Sequence, residues 1–231
     1  MKRIIYLVCM ILFFTLSSHA QTRISTDSST VFTDTLGNKI TSQKFGQIIQ
    51  ASQGRIRPDP IIENGVIKQM GMKILTKEEM GMRMALSESL DALKGKKAPN
   101  FEGKDLDGQR VKLSNLKDKV VVLKFWFTQC KPCLMEMPEL NKMVEEKYKN
   151  NNDVVFISLC LDDKAATAKL LETHPFSYRT LCNMRAVADK YNIAAYPTHL
   201  VIDKNGIVTQ ASNAGIRSLL ETAIDKALEA N

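Results

Sequence analysis

The feature that most constrains this chain is the junction at residues 120–133. Val120-Val121-Val122-Leu123-Lys124-Phe125-Trp126-Phe127 is almost continuously apolar and β-branched or aromatic, and Cys130-Lys131-Pro132-Cys133 follows after Thr128 and Gln129. A run of that kind reads as a strand covered on both faces. Beyond it, Leu134, Met137, Leu140, Val144 and Tyr148 predict a helix over Lys131–Lys149. Cys130 therefore falls at a helix N-terminus, where unpaired amides and the macrodipole favour a thiolate. Cys133 lies one turn on and can close a disulfide with it. Pro132 fits the first helical turn, where a missing N–H costs little, and Lys131 adds positive charge beside the thiols. In this reading Cys130 attacks a substrate disulfide and Cys133 resolves the mixed disulfide by attacking Cys130. The spacing is also half of a zinc knuckle, but zinc needs two further ligands. Cys160 and Cys182 are 22 residues apart, and His174 and His199 form no pair at ligand spacing. No metal or other cofactor is therefore expected beside the redox-active dithiol, and an inert structural disulfide is the bland alternative.

The flanking pattern is α/β. Phe101–Leu113 reads as a hairpin about Asp107-Gly108, a strong turn dipeptide. Val154–Leu161 is a second buried strand, followed by a helix over Asp163–Thr173, a short strand over Ser177–Leu181 and a helix over Arg185–Tyr191. Thr198–Ile202 and Ile207–Ser212 form a hairpin about Asn205-Gly206, and an amphipathic helix covers Ser218–Ala230. Strand–helix–strand followed by hairpin and helix predicts a central mixed sheet flanked by helices, of thioredoxin-like type.

The start of the chain reads as a signal peptide. Lys2 and Arg3 precede Ile4–Leu16, thirteen residues with Thr15 as the single polar side chain, and Ser18 and Ala20 stand where a signal peptidase reads. Cleavage is expected after Ala20. The run is shorter than the roughly 20 apolar residues that span a bilayer, so no stable membrane span is expected after cleavage. Export, with the periplasm as the expected compartment, gives the four remaining cysteines a disulfide or redox role. The whole chain carries 32 basic and 25 acidic residues; the mature part would carry 30 and 25, a net charge of +5. That charge is small and interspersed, which argues against nucleic acid.

Residues 21–94 read as an N-terminal extension of unassigned role before a domain over 95–231. Residues 21–42 are rich in Ser, Thr and Asp and suggest a mobile or strand-like leader. A short helix is expected over Ser42–Gln53, broken by Arg57-Pro58-Asp59-Pro60. Thr76-Lys77-Glu78-Glu79 is a capping box for a helix to about Leu93, with Met80, Met84, Leu86, Leu90 and Leu93 as its apolar side. Five of the eleven methionines lie between Met70 and Met84. A copper(I) site is conceivable there, though methionine is more often pliable core filling.

Tyr196-Pro197-Thr198 introduces a predicted buried strand, a place where a proline is often cis and the Tyr196 backbone can face an extended peptide. With it, the sequence resembles a known family. Ala98-Pro99-Asn100-Phe101, Asp105-Leu106-Asp107-Gly108, Leu113-Ser114-Asn115-Leu116-Lys117, Trp126 with Cys130-Lys131-Pro132-Cys133, Glu136-Met137-Pro138-Glu139-Leu140, Tyr196-Pro197-Thr198 and Ile202-Asp203-Lys204-Asn205-Gly206 look like the TlpA/ResA-like exported thioredoxin-fold thiol–disulfide oxidoreductases. The resemblance covers residues 98–231. It implies a cis Pro197 beside the cysteines and reduction of disulfides in exported proteins or apocytochromes, fed by an upstream electron donor. It further implies a substrate surface of Trp126, Lys131, Pro132, Tyr196, Pro197 and Thr198.

Two positions beside the cysteines carry candidate catalytic roles. Thioredoxins hold a buried Asp where Lys124 stands, and this branch often has Asn. A buried Lys124 would stabilise a thiolate, or act as a base once burial lowers its pKa; alternatively it reaches outward to solvent. Glu136 matches an acid that this branch often keeps. It would exchange a proton with Cys133, pair with Lys124, or be a plain exposed helix residue. Gln129 replaces a common Trp, and Pro138 should kink its helix. Cys160 and Cys182 end successive predicted strands, so they read either as a second redox pair or as small core residues. Two other functions fit the sequence less well. A peroxide reductase would carry its Thr two residues further from the cysteine with a nearby Pro, whereas Thr128 is two positions before Cys130 and the CxxC is intact. A partner-binding protein would recruit through residues 21–94.

Overall fold

The computed structural model describes residues 25–63 and 66–230. The signal peptide expected over residues 1–20 lies outside the described residues. Among them, no helix is long and apolar enough to cross a membrane. Two compact units appear, one holding the described residues up to Ala51 with Pro58–Met72, the other holding Ser52–Arg57 and Lys73 onward.

The first unit carries a four-stranded sheet in the order β2-β1-β4-β3, from β1 (Ser25–Thr33), β2 (Lys39–Ile40), β3 (Ile56–Glu63) and β4 (Val66–Ile74), with helix α1 (Ser42–Ala51). Asp34 makes the β1–β2 turn by accepting the Leu36 and Asn38 amides on Oδ1. Phe45 of α1 is buried edge-on to Phe32 of β1, with centroids 5.4 Å apart. Arg57-Pro58-Asp59-Pro60, expected to break the preceding helix, follows the end of α1 at Ala51 and lies within β3. That strand is the sheet's edge, where two residues unable to donate a ladder hydrogen bond are tolerated.

The second unit opens with α2 (Lys77–Asp91), and the capping box closes as expected. The Glu79 amide donates to Thr76 Oγ1 at 3.1 Å, and the Thr76 amide donates to Glu79 Oε2 at 2.8 Å. The expected apolar stripe is buried unevenly: Leu90 is buried, Met80, Leu86 and Leu93 are half-buried, and Met84 is 61% exposed. Because burial is deepest near the C-terminal end, the cap matters to the start. Thr76→Ala is expected to cost about 1 kcal/mol, read as a lower urea midpoint at unchanged slope.

The main sheet has the order β11-β10-β7-β8-β9. It comprises β7 (Val120–Trp126), β8 (Val154–Cys160), β9 (Arg179–Leu181), β10 (Thr198–Ile202) and β11 (Val208–Ser212). β7, β8 and β9 are parallel, and β10 runs antiparallel to both β7 and β11. β5 (Glu102–Lys104) and β6 (Arg110–Lys112) form the predicted hairpin, with Gly108 at φ 80° in its turn. The helices are α3 (Lys131–Met143, continued by a π-helical turn over Val144–Tyr148), α4 (Lys164–Leu171), α5 (Arg185–Lys190) and α6 (Arg217–Glu229). Alternation along β7 feeds two cores. Val121, Leu123 and Phe125 pack with Leu159, Leu200 and Tyr191 on one face. Val120 and Val122 pack with Leu140 and Met143 of α3 and Leu220 and Ile224 of α6 on the other. Each such side chain contributes on the order of 2 kcal/mol by leaving water, so β7 and the start of α3 are held from both sides.

Candidate active site

The end of β7 and the start of α3 bring the two cysteines together. Cys130 is the N-cap of α3, and its sulfur accepts the Cys133 amide at 3.3 Å. A disulfide joins Cys130 and Cys133, whose Cα atoms are 5.2 Å apart. Cys133 is wholly buried, whereas Cys130 retains 3% exposure. The preceding loop is pinned by Asp162, whose Oδ2 accepts both the Thr128 amide at 2.6 Å and the Thr128 hydroxyl at 2.7 Å. Lys131 and Pro132 are exposed beside the disulfide. The Tyr196–Pro197 bond is cis, as expected. Tyr196 meets Phe127 edge-on at 5.6 Å, and both pack on the cluster of Trp126, Cys130, Cys133, Met137 and Cys160.

Two residues expected at a substrate surface lie inside instead. Trp126 has no exposed area, because even-numbered residues of β7 point under α3, and it forms part of the floor beneath the cysteines. Thr198 is equally buried; its hydroxyl donates to Ala195 O at 2.7 Å and accepts from Asn213 Nδ2 at 2.7 Å, bracing the cis-proline loop.

Lys124 does not reach solvent. It is completely buried, and its Nζ donates to Cys133 O at 2.7 Å and pairs with Glu136 Oε1 at 2.9 Å. The Phe176 ring lies 4.9 Å from the ammonium. Strand register accounts for the placement: His199 of β10 lies opposite Lys124, and Ser158 of β8 lies on its other side. His199 Nε2 is 2.7 Å from Glu136 Oε1, and the Gly215 amide donates to Glu136 Oε2 at 2.8 Å. A Cβ on Gly215 would lie 2.7 Å from that oxygen, so only glycine allows this approach. The carboxylate thus gathers a lysine, a histidine and a backbone amide directly under Cys133. His199 and Gly215 were missed from the sequence, since a lone histidine in a strand and a glycine far along the chain carry no spacing signal.

The charges follow from burial. Burial pushes Lys124 down, the Glu136 carboxylate pulls it back up, and it settles at about 8. Burial pushes the Glu136 carboxyl up, but the His199 hydrogen bond and the nearby positive charge outweigh that and hold it at about 2. Burial moves His199 below its ordinary value against the pull of Glu136. A neutral His199 donates Nε2–H to Glu136 and leaves Nδ1 buried without a partner. Glu136 is therefore a fixed anion at neutral pH, and Lys124 is the group of the three poised to exchange a proton there. Among the described residues no group of three or more His, Cys, Asp or Glu side chains is placed to hold a metal ion.

A cysteine pair capping a helix behind a central parallel strand, faced by a cis-proline loop, defines a thioredoxin-fold dithiol protein. Residues 94–211 match the AhpC/TSA family. The thiol–disulfide oxidoreductase ResA of Bacillus anthracis is 36% identical over 118 residues, covering 50% of this chain and 67% of ResA. The thioredoxin-like protein YneN of Bacillus subtilis (strain 168) is 32% identical over 116 residues, 49% of this chain and 68% of YneN. A crystallised Chlorobium tepidum protein described as a thiol:disulfide interchange protein DsbE superposes with a TM-score of 0.53 at 30% identity, over 58% of this chain and 97% of that one. The chain belongs to the AhpC/TSA family, in its TlpA/ResA-like thiol–disulfide oxidoreductase branch.

Proposed function

We propose that this oxidoreductase is exported, to a periplasm, and reduces disulfides of exported proteins or apocytochromes through Cys130 and Cys133. The observation that carries the reading is the disulfide at the start of α3, with Cys133 wholly buried and Cys130 buried but for 3% exposure. In the reduced enzyme the Cys130 thiolate attacks a substrate disulfide and expels one substrate thiolate. Cys133, deprotonated, then attacks the Cys130 sulfur and expels the second, so two electrons pass to the substrate and the enzyme disulfide forms. An upstream dithiol donor restores the reduced state, and the reaction uses no cofactor beyond these two sulfurs. Lys131, Pro132, Tyr196 and Pro197 are the substrate-facing candidates, the first two by exposure and the others by the cis-proline loop. Lys124 and Glu136 act from beneath, on the ionisation of Cys133. Residues 1–20 supply the export signal, and residues 21–94 are an N-terminal extension whose partner is unassigned.

The peroxide-reductase alternative is disfavoured by Thr128, whose hydroxyl and amide are both spent on Asp162. Trapping separates the readings. Reduced Cys133→Ala, mixed with a disulfide-bonded protein such as insulin, is expected to accumulate a covalent adduct through Cys130, while Cys130→Ala forms none. If Cys130→Ala keeps full reductase turnover, or captures the substrate equally, the proposal fails.

A further inference from the structure

Among the described residues the dithiol mechanism leaves two cysteines unused, Cys160 and Cys182, both free and both buried. β8 and β9 are parallel and in register at Ser158–Thr180 and Leu159–Leu181. Cys160 and Cys182 are the next residues on each side. Side chains alternate along a strand, so the cysteines share the face of Ser158 and Thr180, whose hydroxyl oxygens are only 2.7 Å apart. Neighbouring parallel strands lie about 4.8 Å apart, inside the Cα separation that a disulfide spans. Thr167 of α4 covers the pair, its hydroxyl lying 3.3 Å from Cys160 Sγ. Cys160 belongs to the packed cluster that contains Cys130 and Cys133.

From this juxtaposition we propose that Cys160 and Cys182 are a second dithiol–disulfide couple, closed by a low-molecular-weight disulfide without help from Cys130 and Cys133. Cys182, 9% exposed, attacks the external disulfide as a thiolate and releases one small thiol. Wholly buried Cys160 then loses its proton, attacks the Cys182 sulfur and releases the second. One protein disulfide forms, one external disulfide is consumed, and two electrons move outward. Burial pushes the Cys160 thiol up to about 11, and the Cys182 thiol is raised as well. Closure is therefore slow at neutral pH and quickens as pH rises.

The test uses the full chain bearing Cys130→Ala and Cys133→Ala, incubated with glutathione disulfide at pH 7 and pH 8.5 in the absence of denaturant. Thiols are then alkylated and the digest is mapped. The expected result is a Cys160–Cys182 cross-linked peptide, loss of both thiols and faster closure at the higher pH; Cys9 cannot produce that peptide. Adding Cys182→Ala abolishes the link and leaves Cys160 alkylatable. Should the double alanine variant fail to fold, the wild-type chain read by the same map serves, since each pair gives its own linked peptide. Two thiols persisting after long exposure, a stable glutathione adduct in place of the link, or linkage found only in denaturant would each overturn the proposal.

Discussion

Glu136→Ala is expected to lower the unfolding free energy by about 3–5 kcal/mol, the range seen when one partner of a buried ion pair is removed. The variant strands three donors together. Lys124 loses the carboxylate that offsets its burial, His199 Nε2–H loses its acceptor, and the Gly215 amide loses another. Trp126 is the single tryptophan and sits in the same cluster as the cysteines, so its fluorescence during urea unfolding reports on this unit. The pH dependence gives an independent reading. The Glu136 carboxyl is held at about 2 in the folded protein against an ordinary 4.5, so between those values the unfolded chain binds more protons. Its stabilisation is complete above about pH 4.5 and is lost as pH falls toward 2, on the order of 3 kcal/mol for this residue. Glu136→Gln, which keeps one acceptor oxygen but no charge, is expected to flatten that slope. A Glu136→Ala protein within about 1 kcal/mol of wild type, with the acid slope intact, would show that the carboxylate does not hold this cluster.

Sequence and structure agree where the signal is local and part where it depends on strand register. The strand ending at Trp126, the helix beginning at Lys131 and the capping box at Thr76 are each written in a few adjacent residues, and each is found in place. The cis bond at Pro197 followed from its position before a strand combined with the family resemblance. Lys124 could be read either way, because a lysine in an apolar strand is silent about its partner. That partner comes from β10 and α3, and only the pairing of His199 with Lys124 and the reach of Glu136 turn the lysine inward. Trp126 was misplaced for the related reason that its motif says where it lies along the chain but not which face it takes. Residues 21–42, read as a mobile or strand-like leader, hold β1 and β2, whereas β3 escaped notice because Pro58 and Pro60 read as breakers, and the signal that permits them, an edge position, exists only after the sheet has formed.

Lys124→Met is expected to slow disulfide reduction at pH 7 by about ten- to a hundredfold, with the loss in the resolving step. Methionine keeps the length of the side chain in an apolar setting, so its effect is mainly on charge. A positive charge close to a thiol lowers its pKa by about 1–3 units, and the Lys124 ammonium is one hydrogen bond from the Cys133 backbone. Without it, Cys133 must ionise against full burial, and less of it is thiolate at neutral pH. The mixed disulfide with substrate should therefore persist in this variant, whereas the first attack, by Cys130 at the mouth of α3, changes little. The wild-type rate of resolution should rise with pH as Cys133 ionises and flatten near 8, where Lys124 gives up its proton and with it the charge that favours the thiolate. The variant should show a single ionisation, displaced upward, and regain rate as pH approaches that value. Rapid-quench measurement of mixed-disulfide decay between about pH 6 and 10 distinguishes this from a fault of packing, which would lower the rate equally at every pH. A profile that keeps its wild-type shape would remove Lys124 from the chemistry and leave it a structural partner of Glu136.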